Sequence, residues 1–182
     1  MKKLFLVAGL MAAFLLVIVS ASAQNKANFA GTWALDKTKS QGLDQRMQST
    51  DVTWTITQDD AKISIDSKVT GGQPPASGGG GNGGGGGRGM GGPRSYTLDG
   101  KEVTADAGGQ MGGTNTTKGT WSSDGKTLEL SSVRAGNFNG NDFKATTVDK
   151  MSLSGDGKTL TVVRHSESPR GTTDSTMVFN KQ

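Results

Sequence analysis

Apolar and polar residues alternate along most of the chain from residue 29 onward. Val52, Trp54 and Ile56 alternate with threonines, and Ile63 and Ile65 alternate with polar residues. A period of two is typical of β-strands that bury one face, because successive side chains point to opposite sides of a strand. The pattern predicts that the apolar members of these runs share one interior.

Acidic turn signals separate the alternating runs. They are Asp59-Asp60, Asp99-Gly100, Asp124-Gly125 and Asp156-Gly157. Asp-Gly between alternating runs favours a two-residue hairpin turn, which needs positive φ at both central positions. Asp59-Asp60 is a weaker match because it has no glycine. With two-residue turns, the expected cross-strand pairs are Ile56/Ile63, Tyr96/Val103, Trp121/Leu128 and Leu153/Leu160, all of them apolar. A three-residue turn with a bulge is the alternative at any single site and would shift that hairpin by one residue.

The four hairpins supply eight strands, and further strands are predicted over 29–36 and 172–180. Residues 43–47 are predicted to form one helical turn at most. The sequence therefore predicts an all-β fold, an up-and-down antiparallel meander barrel of about 8 to 10 strands. Closure of the barrel removes the exposed edges that an open sheet of this length would carry.

Two segments lack the alternating pattern. Residues 71–93 hold 14 of the 29 glycines and three of the four prolines, and such a stretch has little to bury against a large loss of backbone entropy. This segment is predicted to be a disordered linker or spacer. Residues 105–116 are predicted to form a long flexible loop. We expect a single β-barrel domain over 24–182, interrupted by the glycine-rich loop at 71–93.

The first 23 residues have the three parts of a secretory signal peptide. Lys2 and Lys3 precede an uncharged apolar run of 16 residues from Leu4 to Val19, and small residues follow at Ala21 and Ala23. The run is shorter than the roughly 20 residues of a membrane-spanning helix. The sequence predicts cleavage after Ala23 and a periplasmic or secreted product that is not an integral membrane protein. An uncleaved membrane anchor is the alternative.

Charge and composition exclude several function classes. Removal of residues 1–23 takes away Lys2 and Lys3, so 18 basic residues stand against 16 acidic ones and the net charge is +2. Export argues against nucleic acid as a partner. The chain has no cysteine and one histidine, His165, which is too few nitrogen or sulfur donors for a zinc site. No catalytic constellation is present, and we expect no enzyme activity, no cofactor and no metal.

The segment FAGTWAL, from Phe29 to Leu35, has the form F-x-G-x-W-x-L. It resembles the opening of the calycins, the superfamily of lipocalins and fatty-acid-binding proteins, and most of all the lipocalin-like domains of small secreted bacterial proteins. The resemblance implies that Gly31 and Trp33 lie on the first strand and that Trp33 plugs the closed end of the barrel. It also implies that an arginine of a late strand, here Arg164, packs over Trp33. The chain lacks the Thr-Asp-Tyr motif of lipocalins and the helical lid of fatty-acid-binding proteins, which leaves the ligand class open.

Alternation selects one pair of charged residues for the interior. Arg164 continues the face of Leu160 and Val162, and the hairpin register places Asp149 opposite it. A buried guanidinium is costly without a partner, which the carboxylate would supply. The functional interpretation is that Arg164 receives an anionic ligand group and Asp149 orients it. The structural alternatives are an ion pair at the barrel rim or the packing of Arg164 over Trp33.

Two hypotheses about function follow from these expectations. The first is an exported, lipocalin-like protein that binds a small, mainly apolar ligand in its barrel. Its predicted ligand-binding residues are Arg164, Asp149, Trp54, Tyr96, Trp121, Met151 and Val162. The second is an envelope or extracellular interaction module with a filled core, a protein partner and no small-molecule ligand. Small and polar residues at interior positions favour the first hypothesis, because a filled core requires larger side chains.

Overall fold

The computed structural model describes residues 26–71, 93–107, 113–138 and 140–182. The predicted signal peptide and all but the ends of the predicted disordered segment lie outside these ranges. The elements are β1 (Gly31–Leu35), α1 (Gln45–Ser49), β2 (Asp51–Gln58), β3 (Lys62–Thr70), β4 (Arg94–Thr97), β5 (Val103–Asp106), β6 (Thr114–Trp121), β7 (Thr127–Phe138), β8 (Asn141–Leu153), β9 (Thr159–Ser168) and β10 (Gly171–Lys181). Within the described ranges, no helix has the length and hydropathy needed to cross a bilayer.

Ten antiparallel strands form one sheet that curls into a nearly closed up-and-down barrel. The order across the sheet is β4-β3-β2-β1-β10-β9-β8-β7-β6-β5, so sequence neighbours pair everywhere except between β4 and β5, and β1 pairs with β10. The predicted all-β meander barrel is confirmed. Its wall is incomplete at one place, where β4 and β5 form the two edges of the sheet.

The only helix among the described residues begins one residue after Asp44, whose side chain accepts a hydrogen bond from Met47 N at 2.7 Å. This is the usual N-cap interaction, and it satisfies a backbone donor that the first helical turn leaves free. The helix lies two residues later than the predicted helical turn. Leu43 and Met47 are buried and belong to the hydrophobic core.

Two of the four predicted hairpin registers are confirmed, but the two-residue turns predicted with them are wrong. Ser122 N donates to Thr127 O and Ser154 N donates to Thr159 O, each at 2.9 Å, so four residues connect the strands in each hairpin. Trp121 lies opposite Leu128 and Leu153 lies opposite Leu160. The two turns are built alike: Ser122 and Ser154 each donate a 2.6 Å hydrogen bond to the aspartate two residues later. Each of these serine hydroxyls also accepts a bond from a threonine N–H five residues on, at 3.0 and 2.9 Å. The repeated local sequence therefore produces the repeated turn.

The register predicted at Asp59-Asp60 is wrong by two residues. Ile56 lies opposite Ile65, not Ile63, because the chain uses a longer turn in which Asp59 N donates to Lys62 O at 2.9 Å. The Asp59 carboxylate accepts bonds from Ala61 N and Lys62 N at 2.8 and 2.7 Å, which stabilises this wider form. A shift of two residues keeps every side chain on its predicted face, so the core is unaffected.

The hairpin predicted at Asp99-Gly100 does not form, and the pair Tyr96/Val103 is wrong. The local turn is present, with Lys101 N donating to the Asp99 carboxylate at 3.0 Å, but β4 pairs with β3 and β5 pairs with β6. The end of β4 instead approaches β6 at Gly119, where a Cβ would lie 2.7 Å from Thr97 O. Val103 is 44% exposed as a result. The gap in the wall lies here.

The flexible loop predicted over 105–116 is wrong at both ends. Ala105 pairs with Asn115 and Asp106 pairs with Thr114, so both strands continue into the predicted loop. Only residues 108–112 of this segment lie outside the described ranges. The polar composition of the segment reflects an exposed edge strand, because every residue of β5 is exposed to solvent.

Candidate ligand site in the barrel

The barrel interior divides into two halves along its axis. The packed half, as we define it, lies beside the β2–β3, β6–β7 and β8–β9 turns and consists of inward-facing side chains that are at most 3% exposed. They are Phe29, Trp33, Trp54, Ile56, Ile63, Ile65, Tyr96, Leu128, Leu130, Met151, Leu160, Val162, Met177 and Phe179. These side chains fill their half of the barrel, as in any close-packed protein core.

The polar half, as we define it, contains the inward-facing residues nearer the opposite end of the same strands. Alternation from the packed residues identifies them as Val52, Ser67, Val69, Arg94, Thr117, Ser132, Arg134, Phe143, Ala145, Thr147, Arg164, Ser166 and Ser175. Val52 is 2% exposed, and the others are only partly buried. Most are small. Because most of them face inward and keep some accessible surface, we expect this half to be less tightly packed than the other.

Asp149 and Arg164 form a bidentate ion pair where the two halves meet. They lie opposite each other on β8 and β9, as the sequence predicts. Arg164 Nε donates to Asp149 Oδ1 at 2.6 Å, and Nη2 donates to Oδ2 at 2.7 Å. Asp149 is 2% exposed. Burial disfavours the charge of Arg164, but the hydrogen bonds and the charge of Asp149 outweigh it and hold the pKa of the guanidinium above its usual value.

Trp54 forms the floor on which two guanidinium groups rest. The carbon centres of Arg94 and Arg164 lie 5.7 and 6.0 Å from the Trp54 ring centroid, within the range of a cation–π interaction. Phe179 packs against the same indole with ring centroids 4.5 Å apart. The predicted packing of Arg164 over Trp33 is wrong. Among the described contacts, the cation over Trp33 is Lys181, whose Nζ lies 5.3 Å from the ring centroid.

Arg94 and Arg134 carry the unbalanced charge of the polar half. Neither forms a salt bridge within the part of the chain that the structure describes, whereas both oxygens of Asp149 are bound by Arg164. The inward face of this half therefore has three guanidinium groups and one carboxylate. This excess of positive charge favours a ligand with an anionic group.

Three polar atoms of residues at the boundary or in the polar half are buried without a hydrogen-bond partner among the described residues. They are Trp54 Nε1, Ser67 Oγ and Arg134 Nε. Ser67 lies directly opposite Trp54 on the neighbouring strand. Buried polar groups are nearly always hydrogen-bonded, so each such group in a native structure requires an explanation. All three atoms can donate a hydrogen bond, and the indole and guanidinium N–H groups are donors only and cannot accept one.

Tyr96 lies at the boundary of the two halves and is 3% exposed. Burial raises the pKa of its hydroxyl, and the negative charge of Asp149 acts in the same direction against the positive charges of Arg94 and Arg164. The hydroxyl therefore stays protonated at neutral pH. This hydroxyl is already engaged by a hydrogen bond with the side chain of Ser132 in the polar half.

The structure brings five of the predicted ligand-binding residues into one neighbourhood. Arg164, Asp149, Trp54 and Tyr96 lie at the boundary, as the contacts above show, and Val162 lies two residues from Arg164 on the same face of β9. Met151, which lies opposite Val162, is fully buried in the packed half. None of these placements tests ligand contact, and their ligand-binding role stays a prediction.

Trp121 lies apart from this neighbourhood. It is half-buried at the closed end of the barrel, where it stacks on Phe29 with ring centroids 5.9 Å apart. Its outer side lines a surface cleft and not the polar half.

Gly31 and Trp33 lie on β1, as the resemblance implies. Trp33 is fully buried, and its Nε1 donates a 2.9 Å hydrogen bond to Phe29 O. The side chain of Gln58 holds the same segment, accepting from Phe29 N and donating to Ala27 O at 2.9 Å each. Residues 27–29 and Trp33 together close the end of the barrel beneath the packed half.

Sequence reasoning missed Arg94, Arg134 and Ser67 as site residues. Arg94 lies on β4, which the sequence predicts to pair with β5, so its place opposite Ile65 of β3 was not predicted. Arg134 follows Leu130 and Ser132 at a spacing of two, so the same alternation that selected Arg164 would have found it.

No protein-family profile matches the chain, and no curated protein matches it in sequence. Several solved structures are similar in fold, and three of them are named here. The zebrafish ileal bile acid-binding protein complexed with cholic acid is 12% identical, with a TM-score of 0.48, and the match covers 85% of this chain and 98% of that one. The REP1-NXSQ fatty acid transporter is 14% identical, with a TM-score of 0.46 and coverage of 84% and 95%.

The third is a Schistosoma mansoni fatty acid binding protein in complex with arachidonic acid. It is 16% identical, with a TM-score of 0.42, and the match covers 85% of this chain and 96% of that one. At these identities the likeness extends to the fold alone.

Proposed function

We propose that this protein binds a small amphipathic molecule in its barrel, with the anionic group of the ligand in the polar half. Two observations carry the proposal. Arg94 and Arg134 face inward without a carboxylate partner among the described residues, and buried donors of the same interior, Trp54 Nε1 and Ser67 Oγ among them, lack hydrogen-bond partners there. A carboxylate, sulfonate or phosphate oxygen would satisfy these donors. Charge-assisted hydrogen bonds of this kind are the strong ones.

The ion pair of Arg164 with Asp149 gives Arg164 a different role from the one expected of it. Both carboxylate oxygens of Asp149 are used by Arg164 Nε and Nη2, so most of the Arg164 charge is already balanced. We assign first contact with the ligand anion to Arg94 and Arg134. Arg164 then acts from the floor of the site, held in place by Asp149.

The apolar part of the ligand is proposed to lie against the walls of the polar half. Phe143, Val69 and Ala145 supply apolar surface there and are all partly exposed. Met151 and Val162 are fully buried, so the apolar part of a ligand would reach them only if the packed half opened. The proposal therefore favours a compact amphipathic ligand over a long apolar chain.

Calorimetric titration of the purified protein with decanoate and with decanol tests this assignment. The two probes share an apolar chain and differ in the anionic group. Decanoate is expected to bind at least about tenfold more tightly, because one charge-assisted hydrogen bond contributes about 1.5–3 kcal/mol. Arg94→Gln and Arg134→Gln are each expected to weaken decanoate binding by about tenfold and to leave decanol binding unchanged.

Arg170→Gln is the matched control, because Arg170 is exposed in the β9–β10 turn. It should leave the affinity for both probes unchanged. Equal affinity of the two probes, or full decanoate affinity in both interior variants, would contradict the assignment. If the Arg164→Met variant keeps its fold and binds decanoate with the parent affinity, Arg164 is not part of the ligand site.

The packed half gives specific support to a second candidate function, the interaction module with a filled core. Its apolar side chains are buried against one another, which a module without a small-molecule ligand requires. Under this alternative, neither probe binds and the purified protein carries no co-purifying small molecule in native mass spectrometry.

Export is proposed as the setting of either function. The basic start, the apolar run and the small residues before Gln24 support cleavage after Ala23. N-terminal sequencing of the protein recovered from the periplasm or the culture medium tests this. A first residue of Gln24 is expected, and recovery of an intact Met1 would contradict cleavage.

A further inference from the structure

We propose a second binding site, for an organic ammonium group, in a surface cleft at the closed end of the barrel. The cleft has a volume of about 520 Å³, and Lys26, Gln58, Asp59, Asp60, Leu98 and Trp121 line it. It lies at the end of the barrel opposite the polar half. The site is therefore independent of the proposed interior ligand.

Trp121 supplies an aromatic surface that is already arranged for a cation. One side of the indole stacks on the fully buried Phe29, with ring centroids 5.9 Å apart and an interplanar angle of 16°. Lys26 Nζ lies 5.7 Å from the Trp121 ring centroid. A tryptophan face is the best aromatic partner for a cation. The position of Lys26 therefore indicates that an ammonium group fits over this face of Trp121.

The charge of the cleft also favours a cation. Asp59 and Asp60 line it together with a single lysine, so the carboxylates are in excess. The Asp59 carboxylate is partly occupied by the N–H groups of Ala61 and Lys62. Asp60 is exposed and forms no salt bridge within the described residues, and Lys26 does not pair with either aspartate. A ligand ammonium would gain both the indole and the Asp60 carboxylate.

The wall of the cleft is fixed before any ligand arrives. Gln58 is held by Phe29 N and Ala27 O at 2.9 Å each, and Ala27 N donates to Gly125 O at 2.9 Å. Leu98 is 6% exposed and belongs to the core. Only the exposed Lys26 side chain must move, and a long lysine side chain does so at little cost. Lys26 is therefore an internal competitor for the site.

Titration with choline and with 3,3-dimethylbutanol, its uncharged isostere, tests the proposal. The readout is the indole N–H resonance of Trp121 in the purified protein. Trp33 and Trp54 are fully buried, so their indole resonances serve as internal controls. Choline is expected to shift the Trp121 resonance and to bind about fivefold more tightly than the isostere. Nα-acetyl-lysine amide, titrated in parallel, distinguishes a lysine side chain from a free quaternary ammonium as the source of the cation.

Two surface variants separate this site from general charge effects. Asp60→Asn is expected to weaken choline binding by about fivefold, while Asp66→Asn, which removes an exposed carboxylate of β3, leaves it unchanged. Lys26→Gln is expected to strengthen choline binding by about two- to fivefold, because it removes the internal competitor. Decanoate binding should be unchanged in both Asp60→Asn and Lys26→Gln, since the interior site lies at the other end.

Equal binding of choline and its uncharged isostere would overturn the proposal. So would weaker choline binding in Lys26→Gln, or an unchanged affinity in Asp60→Asn. These outcomes leave the interior site standing, just as failure of decanoate to bind leaves the ammonium site standing.

Discussion

The same strands form both halves of the barrel interior, but the side chains that face inward differ between the two halves. On β10, Phe179 and Met177 are fully buried, whereas Ser175, on the same face, is partly exposed. On β8, the next residues on the inward face after the fully buried Met151 are Asp149 and then Thr147, away from the closed end of the barrel. These two strands therefore change from large apolar to small or charged side chains at the same level, whereas β2 continues with the buried Val52.

This difference separates stability from function within one fold. The packed half excludes water and supplies most of the hydrophobic free energy of folding. The polar half contributes less burial and retains unbalanced charge, which costs free energy to bury without a partner. The boundary, where Asp149 and Arg164 form their ion pair over Trp54, contributes both to stability and to the proposed site.

The largest expected effect comes from truncation in the packed half. Phe179→Ala should lower the free energy of unfolding by about 3–5 kcal/mol, because it leaves a cavity among close-packed side chains. Ser175→Ala, on the same face of the same strand, should stay within about 0.5 kcal/mol of the parent. Urea denaturation measures both. Similar losses in the two variants would mean that the halves are equally packed.

Breaking the ion pair at the boundary should come next. Asp149→Asn is expected to lower the free energy of unfolding by about 3 kcal/mol, because it leaves the Arg164 charge buried without its partner. The double variant Asp149→Leu with Arg164→Met should recover much of this loss, since no charge is then left unpaired. Asp66→Asn, at an exposed position, is the control. A double variant that is less stable than Asp149→Asn would argue that the pair stabilises the fold outright.

Enlarging a side chain probes the open space directly. Leu130→Phe should cost about 1–3 kcal/mol through overpacking, whereas Ser132→Leu, two residues further along the same face of β7, should cost less than about 1 kcal/mol. Ser132→Leu should nevertheless weaken decanoate binding, because it occupies the polar half. Denaturation and calorimetry together check the two expectations. An equal cost at both positions would contradict an open polar half.

The smallest effect should come from the outer wall behind the polar half. His165 Nδ1 lies 2.6 Å from the Asp174 carboxylate and Nε2 lies 3.2 Å from that of Glu167. The hydrogen bond to Asp174, followed by that to Glu167, raises the pKa of His165 above 6.5. The charged form is thus favoured in the folded state, so this stabilisation is fully present below about pH 6.5 and is lost as pH rises through the raised value.

His165→Gln should remove that part of the pH dependence and leave the rest of the stability curve unchanged. Denaturation at a series of pH values between about 5 and 9 measures it. A pH profile that is the same with and without His165 would show that the outer wall contributes nothing measurable.

Local sequence predicted the strands and the positions of most of the turns. The serine–aspartate turns at Ser122 and Ser154 form within a few residues, and the strands that follow pair with their sequence neighbours, so the Trp121/Leu128 and Leu153/Leu160 registers were predictable. The pairing of Asp149 with Arg164 followed from the second of these registers. In both hairpins, the strand that follows in sequence is also the strand that pairs.

The same reasoning failed at Asp99-Gly100, although the local turn formed. Whether two strands on either side of a turn pair depends on their other neighbours, and here β3 and β6 bind β4 and β5 respectively. Gly119 permits the close approach of Thr97, which brings the end of β4 to β6 at the place where β4 and β5 do not pair. No feature within a few residues of the turn encodes such a choice.

The sequence by itself determined which residues face inward, because the direction of a side chain depends only on position along a strand. It thereby determined the membership of the interior and the pairing of Arg164 with Asp149. Only the tertiary structure decided how the interior is used: where the packing ends, that Arg94 approaches Trp54, and that Trp121 faces an outer cleft. Those facts depend on the closure of distant strands into a barrel, and closure brings together residues that no local pattern relates.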